Sequence, residues 1–234
     1  MKTIKRIVVL TAMGLSLPAF AGGGDDPLVT KLMIDKLETR ITDGPNPLVL
    51  EADAWAGYDL NKLWLKTDLE RVDGDTEEAE LQLLYSRAVA PFWDFQTGWR
   101  RNIKPQPHRD YLALGFKGLA PYLFDVDAGL FIGKAGQFSA RLDAEYEYLF
   151  TQKWVLSPEL SMNLYSKDDA DTGIGAGLSD MALGLRLRYE IRREFAPYVG
   201  VNWSRQFGQT ADYTRAEGGD PSDTQIVAGI RAWF

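Results

Sequence analysis

Apolar and polar residues alternate along most of this chain. In 140–150 (ARLDAEYEYLF), Ala140, Leu142, Ala144, Tyr146, Tyr148 and Phe150 occupy every second position, with Arg141, Asp143, Glu145 and Glu147 between them. Segment 183–192 repeats the arrangement, with Leu183, Leu185, Leu187, Tyr189 and Ile191 against Gly184, Arg186, Arg188, Glu190 and Arg192. Successive side chains of a β-strand point to opposite faces, so a period of two predicts strands with one apolar and one charged face. A helical period would put Glu145 on one face with Leu142 and mix the two classes.

Twelve such segments are legible, near 31–40, 47–57, 62–70, 78–87, 92–101, 110–118, 123–133, 138–150, 154–165, 180–191, 196–206 and 223–234. The first is the least regular, because Asp35 and Lys36 are adjacent and interrupt its alternation. The links TDGPNP, VDGDTEE, NIKPQPHR, KAGQ, SKDDADTGIGAGLS and FGQTADYTRAEGGDPS read as one set, mostly long. The links between them, YDLN, AVAP, LAPY, TQK and RREFA, are short. Long loops on one side and tight turns on the other are the habit of outer-membrane barrels. A soluble β-sandwich also alternates. In a sandwich, however, large residues fill the middle, whereas here Tyr58, Phe92, Trp93, Tyr122, Trp154 and Phe195 gather beside the short links. Aromatics settle at that level because a membrane interface is apolar on one side and wet on the other. The expected fold is all-β: an antiparallel transmembrane β-barrel of about twelve strands, with ten as the alternative.

The remaining organisation follows. Residues 1–21 combine Lys2, Lys5 and Arg6, an apolar run over 7–17 and the small-x-small sequence Ala19-Phe20-Ala21, the pattern of a cleaved export signal. Residues 22–30 read as a short periplasmic segment and 31–234 as the barrel. Beyond residue 21 no apolar run reaches the roughly 18 residues that a membrane helix needs. An even strand count leaves both termini of the barrel on the periplasmic side.

Composition sharpens this picture. The chain has no cysteine, which excludes disulfides and thiolate metal sites. Its net charge of −7 becomes −10 without the three bases of the export signal, a balance unsuited to nucleic acid and compatible with cations. A twelve-stranded barrel is wider than an eight-stranded one filled by side chains. Its charged interior has to be hydrated or paired. Asp125, Asp127, Asp143, Glu145 and Glu147 are expected to face this lumen. They either attract cations or pair with Arg141, Arg186 and Arg188, and the pattern leaves both readings open.

Five collinear blocks carry a resemblance: GYDLNKLWLKTD (57–68), LLYSRAVAPFWDFQTGWR (83–100), LGFKGLAPYLFDVDAGLFIG (114–133), RLDAEYEYLFTQKWVLSPELSMNLYSKDD (141–169) and GLSDMALGLRLRYEIRREFAPYVGVNWSRQFGQTAD (177–212). Together with the terminal strand they resemble the copper resistance protein B family of Gram-negative outer membranes. The resemblance implies a barrel in copper homeostasis, a copper ion as its ligand or cargo, and a periplasmic multicopper oxidase as a companion. Family members commonly carry a Met- and His-rich segment between signal and barrel, where this chain has GGGDDPLVTK. The remaining candidate metal ligands are His108 and Asp110, in an outer link, and Met162 and Met181, which flank the long outer link between the ninth and tenth segments on the lipid-facing parity.

Other chemistries find little support. His108-Arg109-Asp110 lacks the downstream Asn and every companion motif of a kinase. KDDADTGIGAG (167–177) mixes acids and glycines without the spacing or closing Glu of a calcium loop. A single histidine argues against a Ser/His hydrolase or acyltransferase. The competing non-enzymatic reading is a structural or adhesion barrel with functional outer loops and a plugged lumen. Outer-membrane lipid and lipopolysaccharide are the expected surroundings. The terminal QIVAGIRAWF puts Ile226, Ala228, Ile230, Ala232 and Phe234 on one face and Arg231 on the other. It is expected to close the barrel against the first strand, and its aromatic end resembles the tag read by the outer-membrane assembly machinery.

Overall fold

The computed structural model describes residues 27–42 and 44–234; the export signal and most of the segment after it lie outside the described residues. The elements are β1 (Val29–Ile41), β2 (Leu48–Gly57), β3 (Asn61–Val72), β4 (Asp75–Ala90), β5 (Trp93–Lys104), β6 (Arg109–Ala120), β7 (Phe124–Gly133), β8 (Phe138–Glu145), β9 (Tyr148–Leu149), β10 (Trp154–Tyr165), β11 (Gly177–Tyr189), β12 (Phe195–Gln206), α1 (Gly208–Ala216) and β13 (Ser222–Trp233). Every strand pairs antiparallel with its neighbours and β13 pairs with β1, so the sheet closes. β8 and β9 lie in succession along the same edge of β10 and make one stave, interrupted at Tyr146 and Glu147. The barrel therefore has twelve staves, and ten is excluded. Closure is what a lipid environment demands, because no water is present there to satisfy a free sheet edge.

The irregularity of the first strand has a local cause. Between Ile34 and Leu37 the register of β1 shifts against both β13 and β2. This bulge inserts an extra residue and lets the adjacent Asp35 and Lys36 both face the interior. Met33 precedes them on the inner face, and Arg40 follows on it. Leu32 and Ile41 lie exposed on the outer wall.

Three expectations need correction. VDGDTEE is not a long link: β3 and β4 continue to Val72 and Asp75 and are joined by Asp73-Gly74, with φ of 52° and 95°. Asp-Gly suits this left-handed two-residue turn because the pair tolerates positive φ. Segment 138–150 is not one continuous strand, as noted above. The last outer link is not irregular throughout, because α1 (GQTADYTRA) lies within it. That helix carries no apolar stripe, so periodicity gave no sign of it.

The outer wall is apolar, as the alternation requires: Leu65, Leu83, Leu112, Leu130, Leu183 and Val201 are all exposed. Phe92, Tyr122, Tyr148, Phe150 and Trp154 stand exposed around the short-turn end. Phe234 extends the closing pair: its N–H donates to the Leu32 carbonyl at 2.8 Å and its carbonyl accepts from the Leu32 N–H at 3.0 Å.

Candidate functional site

The inward faces of the strands enclose a polar cavity of about 650 Å³ lined by thirteen carboxylates and ten cationic side chains. Most of these charges are organised as ion pairs that cross between staves.

Near the periplasmic end, Arg188 Nη2 lies 2.7 Å from Glu147. Arg231, reaching from β13, lies 3.0 Å from Glu147 and 3.5 Å from both Glu145 and Asp35. Midway up, Glu38 is fully buried and accepts four bonds. Arg186 gives two of 2.9 Å, the Tyr198 hydroxyl one of 2.9 Å and Arg40 Nε one of 3.0 Å. Arg186 also reaches Glu159 at 2.7 Å, Lys36 holds Glu159 at 2.9 Å, and Lys36 reaches Glu51 at 3.0 Å. On the other side Lys66 pairs with Asp127 at 2.6 Å, and Lys117 reaches the same carboxylate at 3.4 Å. Further out, Glu80 holds Arg100 at 2.7 Å and Arg141 at 3.0 Å, and Asp68 lies 3.5 Å from Arg141. The most deeply buried charges, Glu38, Lys66, Glu80, Arg100, Arg186 and Arg188, thus each have a partner and added hydrogen bonds, the condition under which burial is tolerated.

An apolar cluster of Trp64, Leu84, Tyr111, Ala113 and Phe131, with Trp55 against it, fills part of the lumen beside β2–β7. Cations lie over its rings, Arg100 at 4.1 Å from the Phe131 centroid and Lys66 at 5.7 Å from Trp64. A guanidinium or ammonium over an aromatic face is attracted by the ring quadrupole, so this cluster and the ion-pair lattice support one another.

The lining acids divide into two sets. Asp35, Glu51, Asp68, Glu70, Glu80, Asp127, Glu145 and Glu159 are braced by bases, and so is Glu147 beside the cavity. Asp53, Glu78, Asp125, Asp143 and Asp180 have no ion-pair partner within 4.0 Å among the described residues, although Asp180 accepts from Asn163 at 2.8 Å. Of the five acids singled out from the alternation, three are therefore braced and two, Asp125 and Asp143, are not. Arg141, Arg186 and Arg188 all face inward and all pair. Glu38, Lys36 and Glu159 were missed: parity counted from the start of β1 fails beyond its bulge, and Glu159 follows a proline inside an uneven segment.

The four candidate metal ligands lie elsewhere. Both oxygens of Asp110 are occupied, by Arg101 Nε at 2.7 Å, Arg101 Nη2 at 3.0 Å and Trp99 Nε1 at 3.0 Å. His108 immediately precedes β6. Met162 and Met181 are cross-strand partners on the outward parity of β10 and β11, three staves and more from β6. Among the described residues no group of three or more His, Asp or Glu side chains is arranged to hold a metal ion.

A closed antiparallel barrel with an apolar belt, an aromatic end and a charged lumen is an outer-membrane β-barrel. Solved porins share this architecture. The NanC porin superposes with a TM-score of 0.58 at 10% identity, over 86% of this chain and 98% of that one. The KdgM porin gives 0.52 at 12% identity, over 88% and 99%. The model of the family "Copper resistance protein B precursor (CopB)" matches residues 28–234, and the chain belongs to that family. Copper resistance protein B of Escherichia coli is 43% identical over 203 residues, 87% of this chain and 69% of that protein. The copper resistance protein B homolog of Pseudomonas syringae pv. tomato is 42% identical over 210 residues, 90% of this chain and 71% of that protein. The protein is thus an outer-membrane barrel of copper resistance.

Proposed function

We propose that the lumen provides a path for copper ions across the outer membrane, without covalent catalysis. The observation that carries this reading is the acid excess of the lining, concentrated in carboxylates without an ion-pair partner among the described residues. Conduction needs sites strong enough to draw an ion in and weak enough to release it. Single carboxylates spaced along a hydrated wall meet that requirement, whereas a closed cage of soft ligands would retain the metal. The braced arginines and lysines hold the wall in shape around them. A periplasmic multicopper oxidase is the proposed companion at the inner mouth, on family resemblance alone.

The ion pairs that cross the lumen favour a second reading, a plugged barrel with a structural role. Reconstitution in planar bilayers and in copper-loaded vesicles separates the two. Cation-selective current with copper flux supports the path; a silent barrel that leaves copper inside the vesicles supports the plug.

A further inference from the structure

The outer link 166–176 turns one side, Asp169 and Thr172 to Gly175, inward over the lumen, and exposes the other. It leaves β10, leans over the mouth of the barrel and is held from two sides. On one side Arg109, at the start of β6, grips Asp169 through Nε at 2.9 Å and through Nη2 at 2.6 and 2.9 Å. On the other side the Gly175 N–H donates to the Thr210 hydroxyl of α1 at 2.8 Å, and that buried hydroxyl bonds Ser179 at 2.9 Å. The link joins β10 to β11 and α1 packs on β11, while β6 stands three staves from β10 and four from β11 in a ring of twelve, so the link reaches inward from its own strands towards another part of the rim.

Its own fold is compact. Asp169 and Ile174 exchange backbone bonds of 2.7 and 3.0 Å, and the Ala176 N–H donates to Asp168 at 2.7 Å. Thr172, Gly173 and Ile174 form the outer boundary of the lumen cavity. A Cβ on Gly175 would lie 2.5 Å from the Thr210 nitrogen, so only glycine allows the link to lie this close to α1.

We infer that 166–176 is a lid that shuts the lumen from the outside, latched by Arg109 and Asp169. The latch sits at the rim and is only partly buried, with 21% and 15% of its side chains exposed. Water competes for such a pair, so the latch can break while the lattice below stays intact. Gly177, at φ 91°, lies at the far end of the link, where a change of backbone angle moves the lid as a unit.

The inference concerns access and does not depend on copper being the cargo. The chain has no cysteine, so one introduced thiol reports alone. Ser204→Cys places that thiol in the lumen just below the lid, and Glu217→Cys provides an exposed outer reference. Intact cells are treated with a sulfonated fluorophore maleimide too large for general porins. Ser204→Cys should label at least tenfold more slowly than Glu217→Cys. Adding Asp169→Asn, or separately Gly175→Val, should raise its rate at least tenfold, with heat-modifiable mobility checking that each barrel is folded. Equal rates for the two thiols under the native lid, or rates unmoved by both lid variants, would overturn the lid. Neither readout involves metal or current, so a silent barrel leaves this result standing.

Discussion

Arg186 and Glu38 lie 148 residues apart in sequence and meet inside the barrel through two bonds of 2.9 Å. Their strands, β11 and β1, are not neighbours; β12 and β13 stand between them. The pair is a chord across the wall, and it exists only once the barrel has closed. Glu38→Ala leaves the Arg186 guanidinium, 4% exposed, with Glu159 as its one remaining ion-pair partner among the described residues. Removing one partner of a buried pair costs about 3–5 kcal/mol. The denaturant midpoint of the folded barrel in vesicles should fall accordingly, while Glu38→Ala with Arg186→Ala should lose clearly less than the sum of the two single changes. Strict additivity would mean that the pair contributes nothing as a pair.

Asp143 and Glu147 share a face of the sequence pattern but differ in their surroundings. Asp143 has no ion-pair partner among the described residues, whereas Glu147 holds Arg188 and Arg231. Asp143→Asn should therefore reduce cation preference, read as a smaller reversal potential under a salt gradient, with stability nearly unchanged. Glu147→Gln should instead destabilise by roughly 1.5–3 kcal/mol, the usual worth of a hydrogen bond to a charged group. If both variants alter only stability, the free acids have no part in ion selection.

The assignment of the two faces is tested by charge on the outer wall. Leu183 is 44% exposed and opposes Leu160 and Trp203 near the middle of its strand. Leu183→Arg should cost about 2–4 kcal/mol, while Ile41→Arg, at the outer end of β1, should cost only about 0–1 kcal/mol. Equal costs in a vesicle unfolding series would contradict the depth assigned to these residues.

Phe234 contributes two backbone bonds to the seam between the last strand and β1. Deleting it, or adding a few charged residues after it, should lower the yield of heat-modifiable barrel several-fold without changing the amount of chain made. An unchanged yield would remove Phe234 from the assembly step.

Much of the fold was legible because the alternation repeats on every strand. The twelve expected segments correspond to the twelve staves with ends displaced by a few residues. The failures are local. Asp73-Gly74 closes a hairpin where acids nearby looked like loop, and α1 hides in a polar stretch. The bulge in β1 conceals Glu38, whose position only shows when Asp35 and Lys36 are both turned inward. The candidate site was legible as a charged face and not as a set of partners. Arg141 meets Glu80 61 residues away, and Lys66 meets Asp127 at the same separation, and no local pattern encodes such distances.

By itself, then, the sequence determined which side of each strand meets lipid and which meets the lumen, because that depends only on a period of two and on the cost of exposing charge to hydrocarbon. It also determined the membrane and the family. Only the tertiary structure decided which acids are braced, which remain free and what lies across the outer mouth. Those relations are set by the closure of the ring, which brings side chains from distant staves within hydrogen-bonding reach across a shared interior.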